Sequence, residues 1–351
     1  MSIQHFGRLV GLCLALLIPP ATPARAGGDA VTTLAVEFTV RNRNRTLVPC
    51  LADGRNYQVQ GHLVHPGGTL PSALTLYLHG LGFGEFFWRF PVPGYDFAHE
   101  MALLGHASLV IDRLGYDASG HPDGRKLCIG GHADVAHQVI QQLRAGSYSV
   151  AGGTPTPISR IALVGHSLGG AVAEVEAYSF KDVDALGILA FADLGATPDA
   201  VLGLTGATLE CALGGRAAEP GSAKGYAPFG ANAAQFQRFM FHDADPAVVA
   251  QATALRNPDP CGDFLSVLPA NLLTTVHLAA LRDIRVPAFL LCAQNDALFQ
   301  PAGCPAQRTL MSGITAFTSV MIPDMGHAVT LERHAPEVRA ALSAWLWDHG
   351  F

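Results

Sequence analysis

Arg160-Ile-Ala-Leu-Val-Gly165-His166-Ser167-Leu168-Gly169-Gly170-Ala171-Val172-Ala173-Glu174 passes from an aliphatic run, through closely spaced glycines, into small residues of helical character. The run 161–164 has the make-up of a buried strand, and Ala171, Ala173 and Glu174 suit a helix. Between them, Gly165-His166-Ser167-Leu168-Gly169 fits G-x-S-x-G, the pattern of a serine on a tight strand-to-helix turn. The chemistry explains the pattern. Glycines on either side remove side chains that would clash in the turn, and the helix N-terminus behind it adds positive potential where an oxyanion would form. The five-residue pattern alone is common. With a strand before it and a helix after it, Ser167 is the candidate nucleophile.

Outward from this turn, strand-like runs recur with helical patterns between them. Runs 33–40 and 57–64 alternate as antiparallel edge strands do. Runs 73–78, 108–111, 160–164, 186–191, 286–291 and 316–322 are almost wholly apolar, as strands covered on both faces should be. Helical patterns fall at 132–144, 170–180, 306–311 and 336–348. This alternation predicts an α/β fold, a mostly parallel, doubly wound sheet of eight strands. Residues 197–285, rich in Ala, Gly and Phe, lack a clear sheet strand and carry helical patterns at 233–241, 247–256 and 271–282. So long an interruption predicts a functional insertion, a helical lid placed after strand 6. The expected organisation is a core over 27–196 and 286–351, with the lid between.

The composition excludes other classes. Of 351 residues, 49% are hydrophobic and 14% charged, which excludes intrinsic disorder. Lys and Arg number 22 against 28 Asp and Glu, and no basic block stands ready for a phosphate backbone, so no nucleic-acid partner is expected. Neither H-E-x-x-H nor C-x-x-C occurs, and His132 and His137 lie too far round an expected helix to share a metal; no metal and no cofactor are expected.

The N-terminus reads as a secretory signal over 1–26. Arg8 gives the positive region, 9–18 the apolar region, and Ala24-Arg25-Ala26 the cleavage site. The apolar run stops at Pro19-Pro20, short of a membrane span. A secreted or periplasmic protein is expected. Removing Cys13 with the signal leaves Cys50, Cys128, Cys211, Cys261, Cys292 and Cys304, an even set suited to disulfides in an exported chain. Proximity along the chain suggests Cys292–Cys304, Cys211–Cys261 within the lid and, by remainder, Cys50–Cys128.

With Gly165-His166-Ser167-Leu168-Gly169 in place, the chain resembles the α/β-hydrolase superfamily, and the motif resembles the nucleophile elbow of its esterases and lipases. Two further stretches carry the likeness. Leu78-His79-Gly80-Leu81-Gly82 follows a strand as the family's oxyanion loop does, which implies Leu81 N–H and Leu168 N–H as the two donors. Asp112-Arg113-Leu114-Gly115-Tyr116-Asp117-Ala118-Ser119 is similar to the family's D-x-x-G-x-G-x-S loop, with Asp117 for the second glycine, and reads as structural.

The resemblance implies the chain order Ser, acid, His. His327, in Gly326-His327 before the last helix, stands where the family carries its base. Asp296, after the run 286–291, stands at the family's usual acid position; Asp193, after the run 186–191, is the alternative some relatives use. The implied activity is hydrolysis of a small-molecule carboxylic ester through an acyl-enzyme. Tyr226, Phe229, Phe236, Phe239, Phe241 and Phe264 in the insertion suggest an apolar group on that substrate. The rivals are a serine peptidase or amidase on the same triad, a lyase or cofactor-free peroxidase using it, and an inert exported binding protein with a hydrolase fold.

Overall fold

A computed structural model describes residues 31–267 and 275–351 of the chain. The signal expected at 1–26 lies outside the described residues, as does the start of the helix expected over 271–282.

Strands β1 (Val31–Arg41) and β2 (Asn56–Pro66) form an antiparallel pair, followed by β3 (Ala73–Leu78), β4 (Ser108–Ile111) and the two-residue β5 (Ser149–Val150). The elbow strand is β6 (Arg160–His166), with β7 (Ala185–Leu189) after it. A separate ladder pairs β8 (Tyr226–Ala227) with β9 (Asp259–Pro260), and β10 (Ala288–Ala293) and β11 (Phe317–Ile322) complete the set. The main sheet has nine strands in the order β11-β10-β7-β6-β3-β4-β2-β1-β5. From β4 to β11 every pairing is parallel. The sequence predicts eight strands. The ninth, β5, offers only Ser149 and Val150 to the rim of β1, too few residues for a periodic signal.

Burial follows composition in the central strands, whereas β11, expected from its apolar run to be covered on both faces, lies at the sheet edge with only Ile322 buried. All of β7 and β10, and all but the first residue of β3 and β6, are buried, as strands with helices on both faces must be. Helices α1 (Phe97–Leu103), α2 (Ile129–Ala145), α3 (Leu168–Phe180), α9 (Gly303–Leu310) and α10 (Ala335–Asp348) flank the sheet, with α2 packed on α3 and α1 on α10. Helices α4 (Pro198–Ala212), α5 (Ala233–Met240), α6 (Pro246–Leu255), α7 (Cys261–Ser266) and α8 (Thr275–Ala280) fall between β7 and β10. Thr197 caps α4 by accepting from Ala200 N at 3.2 Å, with Pro198 in its first turn. Among the described residues no helix is long and apolar enough to cross a membrane.

Three cysteine pairs lie at bonding distance: Cys50–Cys128, Cys211–Cys261 and Cys292–Cys304, with Cα separations of 6.2, 5.4 and 6.6 Å. The first joins the segment after β1 to the start of α2, the second joins α4 to α7, and the third joins β10 to α9. Each should stabilise the fold by about 2–4 kcal/mol. Produced under oxidising conditions without residues 1–26, the protein should therefore show no thiol when denatured, and reduction should lower its Tm. Six titrated thiols would contradict the pairing.

Candidate active site

Ser167 sits between β6 and α3 with φ 52° and ψ −124°, a backbone conformation strained for a side-chain-bearing residue. It is held from both sides: its N–H donates to Leu189 O at 2.9 Å, and its carbonyl accepts from Gly170 N at 2.7 Å. The glycines of the motif have no room for anything larger. A Cβ on Gly165 would lie 2.0 Å from Gly169 O, and one on Gly169 would lie 2.3 Å from Leu78 O. Gly80 is equally closed, since its Cβ would meet Ser167 Cβ at 2.8 Å.

His327 lies between β11 and α10, fully buried, with Nδ1 2.9 Å from Asp296 Oδ2. The other oxygen of Asp296 accepts from Leu298 N at 2.7 Å and Phe299 N at 3.2 Å, so the carboxylate is fixed in orientation. Asn295 N donates to Met325 O at 2.9 Å, tying the two loops together. His166 adds a third tie: its Nε2 lies 2.9 Å from the carbonyl oxygen of His327, and its ring stacks on Phe87. Burial, reinforced by the neighbouring His327, pushes His166 well below the ordinary histidine range, so it is neutral and donates that bond. The remaining nitrogen of His327, Nε2, is buried without a hydrogen-bond partner among the described residues.

Asp193 is brought elsewhere. Its Oδ1 is 2.9 Å from His277 Nε2, and its Oδ2 accepts from Gln307 Nε2 at 2.8 Å. Gln307 Nε2 also donates to Glu174 Oε1 at 2.6 Å. Burial, then the nearby Asp193, raises Glu174 well above the usual carboxylate range. Asp296 thus faces His327, whereas Asp193 faces His277.

Leu81 and Leu168 line one cavity with Ser167, Phe191 and Asp193. Neither Leu81 N–H nor Leu168 N–H is taken up by a protein acceptor among the described residues. The cavity has about 680 Å³ of empty space, mouth included, and Leu204, Phe229, Met240, Val267, Leu298 and Phe299 make its walls apolar. Of the six insertion aromatics named from sequence, Phe229 alone is on its wall; Phe236, Phe239, Tyr226 and Phe264 are buried in packing.

His79 braces the turn that carries Gly80 and Leu81. Its Nδ1 is 3.0 Å from Gly80 O, its Nε2 accepts from Arg113 N at 3.1 Å, and burial keeps it neutral. Asp112 accepts from Glu85 N at 2.6 Å and Ala118 N at 3.1 Å, and burial followed by Asp117 raises it to about 8. Asp117 has φ 38°, a left-handed backbone conformation that glycine adopts most readily.

Sequence reading missed two buried polar groups that join distant elements. In one, Asp263 meets Arg113 Nη1 at 3.1 Å and His132 Nε2 at 3.2 Å, while Asp259 accepts from Tyr116 at 2.9 Å. The other joins Glu174, Asp193 and His277, whose ligand-type atoms lie within 4.8 Å of one another, as do those of His137, Glu176 and Asp182. Both triplets could hold a cation by residue type. No spacing rule finds them, because each draws on separate elements.

A model of the family described as "Alpha/beta hydrolase family" matches residues 76–341. No protein of curated function matches the chain in sequence. Among solved structures, the chain is similar to a thermophilic esterase from Thermogutta terrifontis, with TM-score 0.63 and 18% identity over 90% of this chain and 100% of that one. It is similar to a monoacylglycerol lipase from Paleococcus ferrophilus, with TM-score 0.58 and 15% identity over 81% and 97% of the two chains. An enol-lactonase from Burkholderia xenovorans gives TM-score 0.58 and 16% identity over 84% and 96%. At these identities the likeness is one of fold.

Proposed function

The chain belongs to the alpha/beta hydrolase family, and on that premise we propose that it is an exported serine hydrolase cleaving carboxylic esters that carry an apolar group. The 2.9 Å bond between His327 Nδ1 and Asp296, with Nε2 left open, supports this reading above all. With Asp296 holding Nδ1–H, Nε2 is the free lone pair, the tautomer a general base needs.

In the proposed reaction Ser167 Oγ attacks the ester carbonyl as His327 Nε2 takes its proton. The N–H groups of Leu81 and Leu168 stabilise the tetrahedral oxyanion, each contributing about 10²–10³ in rate. His327 returns the proton to the departing alcohol, leaving Ser167 acylated. Water, activated by the same nitrogen, then releases the acid. Residues 197–285 serve as the lid, supplying Ala200, Leu204, Phe229, Met240 and Val267 to the cavity wall. Three cystine pairs favour an oxidising compartment and so the export reading.

The apolar wall sets an expectation for p-nitrophenyl esters of rising acyl length. Each methylene that enters the cavity should raise kcat/KM by about fourfold, the equivalent of about 0.8 kcal/mol, until the cavity is full. A flat or falling series from acetate onward would remove the apolar-substrate reading. A matched amide turned over as fast as its ester would favour the peptidase reading, and failure of a fluorophosphonate to label Ser167 would favour the inert one.

A further inference from the structure

The peptide units on either side of Leu81 are gripped by the inserted segment and the loop after β4. Leu81 N–H belongs to the same planar unit as Gly80 C=O and points the opposite way. Gly80 O is held by His79 Nδ1 at 3.0 Å and approached by Arg113 Nη2 at 3.5 Å, while Arg113 Nε donates to His79 O at 3.1 Å. The next two units are held from the insertion: Gly82 N, in the Leu81–Gly82 unit, donates to Asp259 Oδ1 at 2.6 Å, and Gly82 O, in the Gly82–Phe83 unit, accepts from Asn257 N at 3.0 Å. Asp259 also accepts from Tyr116 OH on Oδ1 and from Phe229 N at 3.2 Å on Oδ2, and no part of it is exposed.

We propose that Asp259 is a positioning residue for the oxyanion loop: its ionised carboxylate, supplied by the insertion, fixes the Leu81–Gly82 peptide and so aims Leu81 N–H at the reacting carbonyl. This inference rests on the serine-hydrolase reading. The carboxylate needs its charge for the task. Its two oxygens together accept two backbone N–H groups and a hydroxyl. A proton on Oδ1 would face Gly82 N–H, and a proton on Oδ2 would face Phe229 N–H, so either deprives one donor of its acceptor.

The charged and titratable groups around Asp259 are Asp263 from α7, Arg113 and Tyr116 from the loop after β4, and Arg256 at the end of α6. His132 of α2 and His79 stand one step further, through Asp263 and Arg113. Burial, opposed by the Gly82 and Tyr116 hydrogen bonds, raises Asp259 to about 7. It is therefore ionised above that pH and protonated below it. By contrast, Asp263 is pushed up by burial but held at about 2 by His132 and Arg113, and stays charged throughout.

The test compares Asp259→Ala and Asp259→Asn with the wild type in kcat, KM and Tm from pH 5.5 to 8.5. Asp259→Ala should lose about 10² in kcat at pH 8 with KM within about twofold, because the oxyanion bond strengthens only in the transition state. Asp259→Asn keeps one carbonyl acceptor but turns an amide NH2 towards the other backbone donor, as the protonated acid would, and should lose nearly as much. Any other group that titrates in this range acts on both proteins alike, so the informative quantity is the ratio of wild-type to Asn-variant kcat. It should fall as pH drops through about 7. A folded Asp259→Ala enzyme with normal kcat, or a ratio flat in pH, overturns the proposal and leaves only a structural tie. Fluorophosphonate labelling of wild-type Ser167 tests the underlying reading separately. Protection of the Gly82 amide from hydrogen exchange gives a readout independent of turnover. That protection should weaken below pH 7 in the wild type and be lost in Asp259→Ala; equal protection in both overturns the proposal.

Discussion

Ser167→Ala should lower kcat on an activated ester by about 10⁴ to 10⁶ while leaving the circular dichroism spectrum and Tm close to wild type. The magnitude follows from the interdependence of nucleophile, base and acid: without Oγ there is no acyl-enzyme, and only binding and oxyanion stabilisation are left. The fold should tolerate the change because the strained backbone at Ser167 is held by Leu189 O and Gly170 N rather than by the hydroxyl. Alanine in the same φ > 0 conformation adds little strain beyond that of serine. A variant that turns over the ester with near-normal kcat would exclude Ser167 as the nucleophile.

Asp296→Asn should be nearly as severe, at roughly 10⁴ in kcat, since an amide nitrogen facing Nδ1 would favour the wrong imidazole tautomer. The control is Asp193→Asn. Asp193 is buried and lines the same cavity, yet its bonds go to His277 and Gln307, so its loss should cost kcat no more than about tenfold. Circular dichroism on both variants separates catalytic from folding defects. A large loss in Asp193→Asn beside a near-normal Asp296→Asn would exchange their roles.

The core strands and the elbow were legible because each has a local cause. Periodicity marks β1 and β2, continuous apolar runs mark the parallel strands, and the close contacts at Gly165 and Gly169 leave only glycine at two positions of the motif. The insertion was less legible. Helix α4 opens with a readable cap, but Gly203 and Gly206 within it look like breakers. The structure gives Gly203 a packing reason, since a Cβ there would lie 2.8 Å from the Phe229 ring. The pairs β8 and β9 have two residues each, too short for any period. The bonds of Asp259 to Gly82 and of Asp263 to Arg113 span well over a hundred positions, and no local pattern signals a carboxylate destined for burial. At the site, Ser167 could be named from its immediate neighbours, and His327 and Asp296 from the family resemblance. Residues whose roles depend on the insertion docking against the sheet could not.

The cavity has two kinds of wall, and they differ in how much change they accept. On the sheet side the cavity is lined by Leu81, Ser167 and Leu168, and the glycines behind them, Gly80, Gly165 and Gly169, leave no space for even one added carbon, so the backbone there is fixed. The insertion lines the cavity with Ala200, Leu204, Phe229, Met240 and Val267. Divergence among descendants of this chain, or a laboratory library meant to retune its selectivity, has one productive direction. Randomising the insertion set should sample new cavity shapes on an unchanged backbone, whereas randomising the glycines should disrupt the turn that carries Ser167.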